Sequence, residues 1–149
     1  MTTRLSVNRR LDHAELVDRV RQSRPAGFPD ARVGAISVVG PGMWFDAEGT
    51  ERLEPDLVSL SVSPDDLYLA ADVSLHHDIW GYCNFKGVPH PDIQRRNAPR
   101  LAAALQALDE LLGTTAQPGE PTYFGHADGY GASMPDLIDG LGPDLTDKL

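Results

Sequence analysis

Apolar and polar residues alternate with two different periods along this chain. From Asp12 to Ser23 the period is helical: Leu16, Val17 and Val20 make one apolar stripe. Asp12 followed by Glu15 is a capping-box pattern, with Leu11 and Leu16 placed as a hydrophobic staple. Asp12, Glu15 and Asp18 lie early and Arg19, Arg21 and Arg24 late, as the helix dipole prefers, and Pro25 stops the helix. A second helical stretch runs from about residue 98 to 112. Leu101, Leu105, Leu108 and Leu112 keep its spacing, Asn97 is the expected cap, Pro99 sits in the first turn and Gly113 ends it.

Between the helices the period is two. Residues 33–39 suit a strand, Gly40-Pro41-Gly42 a turn, and Met43-Trp44-Phe45 a short second strand ended by residues 46–49. Val58, Leu60 and Val62 alternate with serines, residues 63–66 turn the chain, and Leu67, Leu69, Ala71, Val73 and Leu75 alternate again. A further strand is expected over about 78–86, a rigid loop over Gly87–Pro91, and a short strand near Thr122-Tyr-Phe-Gly125. Hairpin-like strands flanked by two helices predict an α+β fold: an antiparallel sheet of about five strands with two main helices packed on one face. The length suits a single domain over 1–149. Its tail from about Gly129, rich in Gly, Pro and Asp, docks loosely through Leu137, Ile138, Leu141 and Leu145.

The densest unusual run is His76–Lys86. Read as extended, it projects His76, Asp78, Trp80, Tyr82, Asn84 and Lys86 to one face and His77, Ile79, Cys83 and Phe85 to the other. The second set reads as core. The first mixes large aromatics with polar groups and suits a recognition surface; the plainer reading packs Trp80 and Tyr82 under a helix or loop. Arg95, Arg96 and Arg100 crowd the start of the second helix, against its dipole. They would hold an anion together with the helix amides, or else be screened by water or by the chain's own Asp136, Asp139, Asp144 or Asp147.

Metal and nucleophile chemistry find little purchase. His76, His77, Asp78, Cys83, His90 and His126 are ligand types, but adjacent histidines diverge on a strand, and no Cys-x-x-Cys or His-Glu-x-x-His spacing occurs. Cys83 shares the parity of Ile79 and Phe85, where an inert thiol is expected, and the glycine-rich stretches match no nucleotide fingerprint. No metal, cofactor or catalytic residue is assigned.

Charge changes the picture more. The net charge of −9 is uneven: residues 1–45 carry seven Arg against four acids, whereas residues 101–149 carry Lys148 against eight. Such a chain repels nucleic-acid phosphates and anionic membranes and favours a basic partner. One cysteine, no long apolar run and no apolar leader point to the cytoplasm. Arginine's excess over lysine fits a high-GC bacterial coding bias. In size, acidity and layout, without any diagnostic motif, the chain resembles small α+β immunity or antitoxin-like proteins of bacteria. The resemblance implies a protein-binding or regulatory module, with Glu51, Glu54, Asp56, Asp65, Asp66, Trp80 and Tyr82 making the contact. Two alternatives stand beside it. One is a small-molecule binder or enzyme with its pocket over His76, Asp78, Trp80, Tyr82 and Asn84 and with His90 as proton shuttle. The other is a homodimer through the exposed strand.

Overall fold

A computed structural model describes residues 11–64 and 67–149. It is a mixed α+β structure with two helices, α1 (His13–Gln22) and α2 (Pro91–Leu112). Its strands are β1 (Ile36–Phe45), β2 (Glu51–Pro64), β3 (Leu69–Leu75), β4 (Ala127–Asp128) and β5 (Gly131–Ala132). The first three form an antiparallel sheet in the order β1-β2-β3, and the last two a separate antiparallel ribbon. The five strands therefore belong to two sheets, where the alternation pattern predicts one.

The described residues fall into two units. One takes those of Met1–Val38 and Leu60–Asp72, the other Val39–Ser59 with Val73–Leu149. In the first unit α1 forms as its sequence dictates. The Asp12 carboxylate accepts the Glu15 N–H at 2.8 Å, which satisfies an orphan amide of the first turn. Ser23 closes the last turn on the Arg19 and Arg21 carbonyls. The Ser37 and Ser61 hydroxyls meet at 2.6 Å across β1 and β2. None of this unit's described residues is buried.

The second unit holds the core: Leu57, Ile79, Trp80 and Leu101, with Trp44, Val58, Ile93 and Leu105 packed against them. The β1–β2 hairpin turns on Asp46. One carboxylate oxygen accepts the Thr50 N–H at 2.8 Å and the other accepts Arg52 at 2.9 and 2.8 Å, while Gly49 takes the positive φ of 85° that the turn requires. Gly40-Pro41-Gly42 does not turn the chain; β1 runs straight through it. A Cβ at Gly42 would collide with the Leu57 side chain, so this glycine serves close approach of a core residue and not reversal.

Helix α2 begins seven residues before its expected start. Pro91 takes the first helical position and His90 the cap. Pro99 lies inside the helix, where it deprives the Arg95 carbonyl of its usual donor, a defect that costs about 3 kcal/mol in an ordinary helix. Tertiary bonding overrides this local signal. Asn97, expected as the cap, is fully buried in mid-helix and fastened to β1. The expected strand at 122–125 is a tight turn closed by reciprocal Thr122 and Gly125 backbone bonds. The tail is held mainly by its backbone. Gly142 N–H donates to the Gly87 carbonyl at 2.8 Å and Leu145 N–H to the Phe85 carbonyl at 2.7 Å, while Ile138 and Leu141 stay exposed.

Candidate functional site

The run from His76 to Lys86 is not a strand. Asp78–Trp80 form one turn of 3-10 helix, and the chain then loops back so that Cys83 bridges Pro89. The cause is local side-chain bonding that competes with a sheet ladder. The His77 Nδ1 lies 3.3 Å from the Ile79 N–H and 3.0 Å from the Asp78 carboxylate. Asp78 also accepts the Phe85 N–H at 3.0 Å. The Asn84 side-chain oxygen accepts from both Lys86 and Val88, closing the turn in which Gly87 takes a φ of 76°.

These facts overturn the shared face. Trp80, 6% exposed, is core beside Ile79 and Leu101, so parity no longer sets it apart from Ile79. Tyr82 is half-buried, and its carbonyl accepts the His90 N–H at 2.8 Å. His76 is exposed and bonds the Ser59 hydroxyl at 2.9 Å. The ring of His90 lies 3.1 Å from the Gly81 carbonyl. His76, Asp78, Trp80, Tyr82 and Asn84 therefore line no common sheet face.

The His77 imidazole is nevertheless well surrounded. Its Nε2 lies 3.9 Å from Glu54, and its ring stacks at a tilt on Trp44 with centroids 5.2 Å apart. Burial alone would raise the Asp78 carboxyl; the His77 hydrogen bond, the Phe85 N–H and the nearby charges of His77 and His90 outweigh it and hold the group below the ordinary carboxylate range. Asp46 behaves alike, with the Thr50 N–H and Arg52 outweighing its desolvation. Among the described residues, no three His, Cys, Asp or Glu side chains converge as a metal site.

The three arginines do not meet at an anion site. Arg95 pairs with Asp92 at 2.9 Å, Arg96 lays its guanidinium beside Gly49, and Arg100 donates to the Met43 carbonyl at 2.8 Å while covering the Phe45 ring at 5.0 Å. Of the three, Arg95 borders an open groove of about 600 Å³. Gln94, Ala98, Pro99 and Ala102 of α2 floor this groove and Tyr130 flanks it. The Tyr130 hydroxyl donates to Asp109 at 2.7 Å, which raises the phenol's pKa and anchors the β4–β5 ribbon. Sequence reasoning missed this pair, because the two residues are 21 positions apart and Asp109 reads as a solvated helix acid.

Several large apolar side chains of the first unit are exposed. Phe28 is 69% exposed, Val38 56%, Leu67 91%, Tyr68 65% and Leu69 61%. Asp65 and Asp66, expected at the contact, lie outside the described residues. No protein family matches this chain, and neither does any curated protein or solved structure. Among the described residues, no helix is long and apolar enough to cross a membrane.

Proposed function

We propose that this chain is an acidic protein-binding module whose partner carries positive charge, as an immunity-like or regulatory protein would. One observation carries the reading: the first unit buries none of its described residues yet exposes Phe28, Val38, Leu67, Tyr68 and Leu69. Covering such side chains is worth about 1.5–3 kcal/mol each, a gross gain comparable to the ~4–15 kcal/mol lost on association. Apolar contact alone would leave a marginal complex, so charge complementarity decides which partner is held. The chain's net charge of −9, to which the first unit's seven Arg and seven acids contribute nothing, favours a basic partner through long-range steering and speeds the encounter.

Affinity capture from the native host, identified by mass spectrometry and repeated with purified partner across a salt series, tests this. A basic protein should be retained, with its association rate falling as salt rises. Consistent failure to capture any protein, or binding indifferent to salt, removes the reading.

A further inference from the structure

The two edges of the three-stranded sheet are finished differently. On β1, the N–H and carbonyl of Phe45 are both occupied by the Asn97 amide, and the Met43 carbonyl by Arg100. Pro41, two residues further on, has no N–H to offer. These devices blunt an edge against strand addition. On β3 the strand order leaves one side without a strand neighbour among the described residues. The His76 N–H points to the Leu57 carbonyl, so by alternation the main-chain groups of Leu69 and Ala71 face away from β2. Leu67, Tyr68 and Leu69 lead into that edge exposed, and Asp72 is its exposed charge.

We propose that the β3 edge at Leu69–Asp72 takes up an extended, lysine- or arginine-bearing strand of the partner, which pairs with it by backbone hydrogen bonds. This rests on the protein-binding reading and gives it a geometry. Backbone pairing supplies affinity, Tyr68 and Leu69 take alternate apolar side chains, and Asp72 takes the cation. A second copy of this chain is the poorer occupant, since it would bring a net charge of −9 against −9 and another Asp72 to the same edge.

The test is a titration of the isotope-labelled full chain with an octapeptide of alternating Lys and Val, with a Glu/Val octapeptide as control. The basic peptide should bind saturably, shifting and protecting the amides of Leu69 and Ala71, and Asp72→Lys should weaken it on the order of ten-fold. Ala71→Pro removes a donor that faces away from β2, so the fold should survive while binding is lost. Tyr68→Ala, which alters no backbone group, should weaken binding as well and serves as the second variant. Absence of binding, equal binding of the acidic peptide, or binding indifferent to these substitutions overturns the proposal. Self-association of the free chain that Ala71→Pro abolishes would also overturn it, by assigning the edge to a second copy. A captured native partner that Ala71→Pro still holds would remove the edge but leave the protein-binding reading standing.

Discussion

The Asn97 side chain pairs with the Phe45 backbone as a neighbouring strand would. Its carbonyl accepts the Phe45 N–H at 2.9 Å and its amide donates to the Phe45 carbonyl at 2.8 Å, with a second donation to the Ile93 carbonyl. Asn97→Ala leaves two main-chain groups of β1 unpaired and should cost about 2–4 kcal/mol. Asn97→Asp keeps the shape but turns a carboxylate toward two carbonyls, so it should be at least as damaging at neutral pH and milder in acid. Urea midpoints of the two variants check both statements.

Trp80 offers a cleaner separation of size from polarity. Its indole N–H is buried with no hydrogen-bond partner among the described residues. Trp80→Phe removes an unsatisfied donor along with some area, and should cost less than about 1.5 kcal/mol. Trp80→Ala opens a cavity in the core and should cost about 3–5 kcal/mol. A phenylalanine variant as damaged as the alanine one would show that the N–H matters after all.

Gly87 and Gly142 hold the tail against the 83–89 loop. A Cβ at Gly87 would meet the Gly142 carbonyl from a left-handed backbone, and one at Gly142 would lie 2.9 Å from the Cys83 sulfur. Either glycine-to-alanine change should loosen the tail. The readout is labelling of Cys83 by a thiol reagent, expected to quicken about ten-fold if local opening becomes ~1.4 kcal/mol easier. Unchanged labelling would mean that the tail does not shield the thiol.

The Asp46 carboxyl is held below its ordinary pKa in the folded chain, against its own desolvation, by Thr50 and Arg52. A depressed folded pKa stabilises the structure above the unfolded value of about 4, and that contribution is lost as pH falls through the folded value. Asp46→Asn should therefore destabilise at pH 7, with the gap to the parent closing on acidification below about pH 4. Denaturation midpoints at neutral and acid pH measure it; a gap that persists in acid would reject the linkage.

The sequence was most readable where signals were local. Asp12, Glu15 and Pro25 bracket α1 because capping and termination involve neighbours in the chain. It misled where one residue type serves two purposes. Pro99 reads as a helix start, yet it sits mid-helix because Asn97 must reach Phe45, 52 positions away. Gly42 reads as a turn and makes room for Leu57. Asp78 and Asn84 read as one polar face of a strand, and each instead bonds the backbone of its own loop. Of the expected binding residues, Arg95 alone borders the groove, since no short-range pattern encodes the Tyr130–Asp109 bond beside it.

The span between Phe45 and Asn97 also governs the order of events on the ribosome. At about 5–20 residues per second, β1 is made roughly 3–10 seconds before the residue that closes it. Throughout that interval the nascent chain presents an uncharged strand from Ile36 to Phe45 with nothing yet to seal it. Synthesis of α2 is thus the step that ends its exposure to stray pairing, and truncation before Asn97 should yield a chain that chaperones hold or that precipitates.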